Sequence, residues 1–375
     1  MLTVADLPSL PPTIPAPRRA DDEVRVALVT PAQGPAGMFG LSCRMCAELA
    51  AAEVNAAGGL LGRPLTLHHV DGGAPPGAVA EQVAALVRAG EVDAVVGWHI
   101  SAVRRRLAPR VAGQIPYVYT ALYEGGERTP GVFVTGETPA NQLAPALDWM
   151  RSELGVRRWV VVGNDYVWPR ASAAVAARWA RSHDRPLADQ IFVPLGTRDF
   201  APVLRRVELS GADGVLMLLV GEDAVHFNRA FADAGHHHRR TRLSTLMDET
   251  MLLASGARAT QWLYSAAGYF EDLATSDALE FTSRFGDRFG MRAPVPSSPG
   301  ESCYEGMNLY AALVRRAGSV RREDLLAVSE AVHFGGPRGD VVVRGAHAVQ
   351  DVYVAEAQGV HFDVLDRLSS GVREN

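Results

Sequence analysis

The stretch VRVALVT at positions 24–30 is apolar and β-branched except for one arginine, which is typical of a strand buried on both faces of a sheet. A turn rich in Gly and Pro follows at 31–40. A helix then begins near Ser42 and is stopped by Gly58-Gly59. Its apolar stripe consists of Leu41, Met45, Leu49 and Ala52.

The same alternation of strand and helix continues beyond this first unit. Two blocks are visible, 24–135 and 138–250, and Thr138-Pro139 opens the second with an N-cap and a proline at the first helical position. This order predicts an α/β fold with mostly parallel sheets covered by helices on both faces. Later segments predict a strand at 262–270 and three helices, at 276–289, at 302–317 and from 322. The last 35 residues predict an antiparallel meander.

Composition excludes several classes of protein. The 375 residues correspond to about two domains, and 47% hydrophobic with 21% charged residues excludes disorder of the whole chain. A net charge of −5 disfavours direct nucleic-acid binding. No apolar run is long enough to insert in a membrane, and 3 cysteines cannot form a disulfide framework.

The first residues bear on location. Positions 1–23 are rich in proline and carry their arginines late, without the apolar stretch of a secretory signal. We expect a disordered lead-in and a cytoplasmic protein. The alternative is a periplasmic or cell-surface protein whose start site is misassigned.

Ligands of open parallel sheets bind beyond the carboxyl ends of the strands. Aromatic residues make up only 7% of the chain, yet Trp or Tyr recurs at these positions, which favours a small ring-walled pocket for a polar ligand. The candidate ligand contacts are Trp98, His99, Ser101, Tyr119, Ala121, Tyr166, Trp168 and Glu249.

Six segments together resemble one known family. They are GLLGRPL (59–65), TALYEGGE (120–127), TPANQ (138–142), GNDYVWPR (163–170), VPLGTRDF (193–200) and AHAVQDVYVAEAQGVHFDV (346–364). They are similar to the urea-receptor and aliphatic-amide-sensor branch of the type I periplasmic-binding-protein superfamily, which is related to branched-chain amino-acid receptors.

The resemblance implies two lobes, joined by three crossovers, that close on a small ligand. The implied lobes are 24–136 with 252–331, and 137–251 with 332–375.

It also implies roles for individual residues. Ser101 matches a serine at a helix N-terminus that binds a ligand carbonyl, and Tyr119 and Tyr166 match tyrosines on opposite lobes. Glu249 matches an acidic position that could accept from an amide NH₂.

Several positions carry residues that differ from those usual in the family. His99 stands where relatives carry Trp or Tyr, and Trp168 where they carry Phe or Tyr. Thr120 replaces a usual proline, and Ala121-Leu122 replace the Thr-Pro pair of amide sensors, so the ligand is expected to differ from acetamide.

The function expected from this resemblance is a cytoplasmic sensor that binds a short amide or urea-like ligand and controls a regulator protein. The alternative is the substrate-binding receptor of an ABC transporter for urea, short amides or branched-chain amino acids. An amide-hydrolysing enzyme with Glu249, Asp165 or His99 as general base is less favoured, since no nucleophile–base spacing is visible. No cofactor or metal is expected, and a homo-oligomer remains open.

Three further patterns have simpler interpretations. Cys43 and Cys46 lie on an apolar helix stripe, which favours core packing. The run His236–Arg240 follows a helix end, where cationic side chains are favoured without any metal. Arg104–Arg106 is interpreted as a solvated helix face, with an acidic partner as the alternative.

Overall fold

The structure is a computed structural model, which describes residues 22–290 and 292–369. Residues 1–21 of the predicted lead-in lie outside this part of the chain. The described strands, in chain order, are β1 (Val24–Thr30), β2 (Leu65–Asp71), β3 (Ala94–Gly97), β4 (Tyr117–Tyr119), β5 (Val132–Val134), β6 (Trp159–Asn164), β7 (Asp189–Val193), β8 (Gly214–Leu218), β9 (Thr241–Ser244), β10 (Leu263–Ala267), β11 (His333–Gly336), β12 (Gly339–Arg344), β13 (His347–Val349), β14 (Val352–Gln358) and β15 (His361–Ser369).

Helices cover both faces of the sheets. The described α-helices are α1 (Gly40–Ala56), α2 (Pro76–Arg88), α3 (Ser101–Val111), α4 (Ala144–Glu153), α5 (Val167–Ser182), α6 (Ala201–Ser210), α7 (Glu222–Asp233), α8 (Glu249–Ser255), α9 (Ser276–Phe289), α10 (Ser298–Ala317) and α11 (Arg322–Val328). Short 3₁₀ turns occur at Gly37–Phe39, His236–His238, Ala257–Thr260 and Ser329–Ala331, and a π-helical turn at Pro139–Leu143 precedes α4.

The strands form two sheets within the described residues. The first has eight strands in the order β11-β12-β13-β5-β4-β3-β1-β2, and the second has seven in the order β15-β14-β10-β9-β8-β6-β7. Strands β1–β5 run parallel to their neighbours within this group, as do β6–β10. We call each sheet with the helices packed on it a lobe. The two-lobed α/β fold predicted from the sequence is therefore confirmed.

The division of the chain between the lobes differs from the predicted boundaries in two segments. Strand β10 was expected in the first lobe, but it pairs with β9 and β14 of the second sheet. The hairpin strands β11–β13 were expected in the second lobe, but β13 pairs with β5 of the first sheet. The C-terminal meander is divided between the two sheets. Its strands β11–β13 extend the first sheet through β5, and β14 and β15 extend the second sheet through β10.

Helix α10 forms the main packing element of the first lobe. It lies against α1 and against strands β3 and β4. Cys43 and Cys46 of α1 and Cys303 of α10 are all buried free thiols, which confirms the core-packing interpretation.

Three crossovers join the lobes, at 135–138, 268–275 and 350–351. The Gln350 side chain of the third donates to the carbonyl of Thr135 in the first, at 2.6 Å. The buried Arg338 guanidinium, from the turn between β11 and β12, donates to Glu137 of the first crossover. In the second, a Cβ on Gly268 would collide with that guanidinium. We call the part of the protein that contains the three crossovers the hinge. Its crossovers are linked by buried polar contacts.

Candidate ligand-binding site

The predicted contacts lie where parallel strands end, because the carboxyl ends of both sheets face the space between the lobes. Helix α3 of the first lobe begins there with Ser101, and helix α5 of the second begins just after Tyr166. The two helices contact each other across the lobes. The fold therefore brings these two helices together at one place between the lobes.

Ser101 is the most informative residue of this group. It is 2% exposed, and its Oγ makes no hydrogen bond of normal geometry within the described residues, although the Tyr119 hydroxyl lies close enough to interact with it. The first turn of a helix leaves backbone N–H groups unpaired and carries partial positive charge. Neither α3 nor α5 has an acidic residue in its first turn to neutralise that charge. Ser101 therefore lies where an anionic or carbonyl oxygen would be favoured.

Tyr119 is buried and its hydroxyl is already engaged. It donates to the carbonyl oxygen of His99 at 2.8 Å. Its ring packs edge-on against Tyr123, and the guanidinium of Arg104 lies 5.3 Å from its centroid. Burial raises the pKa of Tyr119, with Arg104 opposing this in part. The phenol therefore remains neutral, with its oxygen free only to accept.

His99 supports the site from within the first lobe. Its Nε2 lies 2.9 Å from the Tyr117 hydroxyl, and its Nδ1 lies 3.4 Å from the carbonyl of Ile100. Burial lowers the pKa of His99 to about 3, so the imidazole is neutral. These partners assign the tautomer of the imidazole: Nδ1 carries the proton, and Nε2 accepts a hydrogen bond from the Tyr117 hydroxyl. Neither nitrogen is left to act as a general base.

Tyr166 and Trp168 form the aromatic wall on the second lobe. Their ring centroids are 6.3 Å apart, with Tyr166 half-buried and Trp168 buried. Burial chiefly, and then the nearby Tyr119 and Glu124 of the first lobe, raise the pKa of Tyr166. Side chains of opposite lobes are therefore near each other here, whereas contact of both Tyr119 and Tyr166 with one ligand stays a prediction.

The Arg104–Arg106 run divides in two. Arg105 and Arg106 are exposed, but Arg104 is 3% exposed and forms ion pairs with Glu124 and Glu127. The interpretation as a solvated face is wrong for Arg104. This arginine instead fixes the loop after β4, which carries Ala121 and Glu124, beside the N-terminus of α3.

Glu249 lies in the first turn of α8 and is buried. Its Oε1 accepts from the backbone N–H of Glu271 at 2.9 Å, whereas its Oε2 has no partner among the described residues. Burial and the adjacent Asp248 raise the pKa of Glu249 to about 8. The side chain is therefore turned towards the crossover after β10.

The cavity between the lobes lies nearer the hinge than the predicted residues. Its volume is about 10 Å³, which accommodates roughly one water molecule, so the lobes are closed on each other. Of the eight predicted contacts, Trp98 lines this cavity. The other lining residues are Thr120, Leu122, Glu137, Gln142, Thr245, Leu246, Met247, Asp248, Ala267, Ser298, Pro299 and Ser302.

Asp248 is one of the lining residues that are absent from the eight predicted contacts. Its Oδ1 caps α8 by accepting from Met251 N–H at 2.9 Å, and its buried Oδ2 makes no hydrogen bond of normal geometry within the described residues, although the Ser297 side chain is close enough to interact with the carboxylate. Burial raises the pKa of Asp248 to about 6. Its position directly before Glu249 was the available signal. Ser298 and Ser302 reach the cavity from α10, and no local pattern marked them.

The residues considered as general bases do not form a catalytic pair. Asp165 is exposed and accepts from the Arg170 guanidinium at 2.6 Å. His99 and Glu249 are engaged as described above. Among residues 22–290 and 292–369, no three His, Cys, Asp or Glu side chains are arranged to hold a metal ion. In that same part of the chain, no helix has both the length and the apolar character needed to cross a membrane.

Two closed lobes with strand-end polar residues between them are the architecture of a small-molecule binding protein. The chain matches the periplasmic binding protein family over residues 23–361, and it belongs to that family. Leu/Ile/Val-binding protein homolog 6 of Brucella melitensis is 27% identical over 234 residues, which cover 60% of this chain and 57% of that protein. The match thus spans little more than half the length of this relative.

Solved structures share the fold. A solute-binding protein of an ABC transporter from R. palustris, in complex with benzoate, has a TM-score of 0.83 at 20% identity and covers 93% of this chain and 97% of its own. A branched-chain amino acid transporter substrate-binding protein from Streptococcus pneumoniae, in complex with isoleucine, has a TM-score of 0.80 at 15% identity, covering 92% and 98%. The resemblance to the wider superfamily is confirmed, whereas its urea and amide branch is not.

Proposed function

We propose that this protein is the substrate-binding component of an ABC transporter and that it binds a small molecule bearing a carboxylate, such as an amino acid or an aromatic acid. Its family and the names of its relatives support the transporter role. Benzoate and isoleucine, which two of the structural neighbours hold, share a carboxylate and little else. The alternative function expected from the sequence thus has more support than the amide sensor.

The observation that carries the proposal is the buried hydroxyl of Ser101 at the N-terminus of α3, which has the Tyr119 hydroxyl near it but no hydrogen bond of normal geometry within the described residues. A carboxylate there would accept from this hydroxyl and from first-turn N–H groups, with the partial positive charge of α3 and the facing α5 in its favour. A ligand held by both lobes would favour the closed state by its differential affinity for that state.

The hinge side of the cleft presents hydrogen-bond acceptors, in contrast to the donors beside Ser101. Asp248 and Glu137 both line the cavity there, and Oδ2 of Asp248 makes no hydrogen bond of normal geometry within the described residues, with the Ser297 side chain close to the carboxylate. A buried carboxylate oxygen is stabilised by a hydrogen-bond donor. The second polar group of the ligand is therefore a donor, either an ammonium or a hydroxyl, with the apolar part against Trp98 and Leu122. The lobes must move apart from the present arrangement to admit it, because the cavity accommodates only about one water molecule.

The proposed role places the protein outside the cytoplasmic membrane, beside a permease. The cytoplasmic location and the regulator partner expected from the sequence find no support among the relatives. A short amide or urea could use the same Ser101 donors through its carbonyl oxygen, although it would forgo the charge attraction at the helix termini.

A thermal-unfolding screen tests the proposal. The compounds are leucine, isoleucine, valine, benzoate, 4-hydroxybenzoate, acetamide and urea. A ligand at 100 times its dissociation constant adds about 2.7 kcal/mol of stability, which corresponds to a rise in melting temperature of several degrees. We expect carboxylates to raise it. Stabilisation by acetamide or urea, with no effect of any carboxylate, would contradict the proposal and support a short amide or urea as the ligand.

A further inference from the structure

The loop between β1 and α1, residues 31–39, reaches from the first lobe to the second. Its Pro35 carbonyl oxygen accepts from the backbone N–H of Glu222 in the second lobe, at 3.0 Å. Pro35 and Val220 also line one groove at the edge of the cleft, away from the cavity beside the crossovers. This hydrogen bond therefore joins the lobes directly, independently of the covalent crossovers.

The second lobe is shaped to receive this carbonyl. Gly221 has φ 49° and ψ −115°, and a Cβ built on it would lie 1.9 Å from the Pro35 oxygen. A side chain at position 221 would therefore prevent the approach. Glu222 is the first residue of α7, so its N–H is one that the helix itself cannot pair. The Pro35 carbonyl satisfies that donor at the positive end of the helix.

The first lobe holds the loop in position for this contact. The Asp71 carboxylate at the end of β2 accepts from the backbone N–H of Ala32, from the Gln33 side chain and from Gly73 N–H. Partial burial opposes ionisation, but these hydrogen bonds prevail and lower the pKa of Asp71. The loop is thus fastened near its start by an ionised acceptor.

The far end of the loop is also anchored. Residues Gly37–Phe39 form a 3₁₀ turn that contacts α8 of the second lobe. The Phe39 ring packs on Trp98 of the first lobe, with centroids 4.9 Å apart. The loop therefore lies between the lobes, held by hydrogen bonds to Asp71 near its start and by ring packing on Trp98 at its end, with the Pro35 carbonyl pointing at α7.

We propose that residues 31–39 form a latch that holds the lobes closed through the Pro35–Glu222 hydrogen bond. The inference rests on lobe closure in the proposed function, but not on the identity of the ligand. Separation of the lobes must break this bond, so the latch favours the closed state and slows release of whatever the cleft holds.

The test compares Glu222→Pro with Glu222→Ala in the full-length protein without added ligand. Proline lacks the N–H but is well tolerated at the first position of a helix. Alanine keeps the N–H and removes only an exposed side chain. We expect Glu222→Pro to have a larger radius of gyration by small-angle X-ray scattering, with Glu222→Ala equal to the unmodified protein. Equal radii for all three proteins would overturn the latch.

Hydrogen exchange in the unmodified protein gives a second measurement that does not depend on how the proline variant folds. We expect the Glu222 amide to exchange at least tenfold more slowly than the same residue in an unstructured peptide. Exchange at the peptide rate would show that the bond is not formed, and would overturn the proposal. Neither measurement uses a ligand, so failure of the thermal screen leaves both outcomes interpretable.

Discussion

The guanidinium of Arg338 donates to the carboxylate of Glu137 although the two residues are 201 positions apart in the chain. The same guanidinium donates through Nε and Nη2 to Glu305 of α10, at 3.0 and 2.8 Å, and Glu301 lies 3.5 Å from it. All four side chains are buried. One cation therefore pairs with the carboxylates of Glu137 and Glu305 beside the first crossover, where Glu137 also borders the cavity, while burial and the adjacent Glu305 raise the pKa of Glu301.

Replacing this cation should be severely destabilising. Arg338→Met leaves the carboxylates buried without their partner, and breaking a buried ion pair in this way costs about 3–5 kcal/mol. Urea denaturation measures the free energy of unfolding. Arg344→Met, an exposed position on the neighbouring strand β12, is the matched control and should change it little. Equal stability of the two variants would show that the cluster does not contribute as described.

The pH dependence of stability should carry a contribution from Glu249. Its pKa is raised from 4.5 to about 8, chiefly by burial, so the folded state binds its proton more tightly than the unfolded state. Stability from this group is therefore complete below the unfolded pKa and is lost as pH rises through about 8. The loss is of the order of a few kcal/mol.

Glu249→Gln should flatten this part of the stability profile, measured by urea denaturation between pH 5 and about 8.5. Glu91→Gln, at an exposed position, should leave the profile as it is. A profile of Glu249→Gln that declines as steeply as that of the unmodified protein would assign the decline to other groups.

The sequence predicted the two-lobed architecture because β1 and the helices around it have strong periodicity and the family segments extend along nearly the whole chain. It did not predict β5, β11 or β13, which are three or four residues long and too short for an alternating pattern to be recognised. The lobe to which β10 and β11–β13 belong depends on their pairing partners, β9, β14 and β5, which local sequence does not specify.

For the site, strand-end position singled out Ser101, Tyr119 and Tyr166, which lie between the lobes but do not line the cavity there. It could not reveal which side chains point inwards. His99 is turned to Tyr117, and Arg104 is buried in ion pairs, because tertiary contacts decide their orientation. Whether the eight predicted residues contact a ligand stays a prediction.

Ser101→Ala should weaken binding of the compound that gives the largest shift in the thermal screen. Loss of one hydrogen bond to a buried ligand oxygen costs about 1–3 kcal/mol, so calorimetry should show an affinity lower by roughly five- to a hundredfold. Ser172→Ala is a close control, because Ser172 is also a buried helical serine whose Oγ lacks a partner among the described residues. Equal affinity of the two variants would place the ligand elsewhere.

Tyr166→Ala should lower the affinity at least tenfold, because it removes a ring wall and a hydroxyl from the cleft. Tyr166→Phe keeps the ring beside Trp168 and isolates the hydroxyl. If the ring provides most of the contact, calorimetry will show Tyr166→Phe close to the unmodified protein. Unchanged affinity in Tyr166→Ala would exclude Tyr166 from the binding site.

Asp248→Asn should distinguish an amino acid from a simple aromatic acid as ligand. Asparagine retains an oxygen that can cap α8, so the fold should persist, while the carboxylate that would pair with an ammonium is lost. Isoleucine binding should then weaken tenfold or more, whereas benzoate binding should change little.

The pKa of Asp248, raised to about 6, also predicts a pH dependence. Isoleucine affinity in the unmodified protein should fall as pH drops below about 6, and this dependence should be absent from Asp248→Asn. Calorimetry at pH 5 and pH 7.5 measures both effects, and an isoleucine affinity that neither pH nor Asp248→Asn alters would exclude Asp248 as the partner of the ligand ammonium.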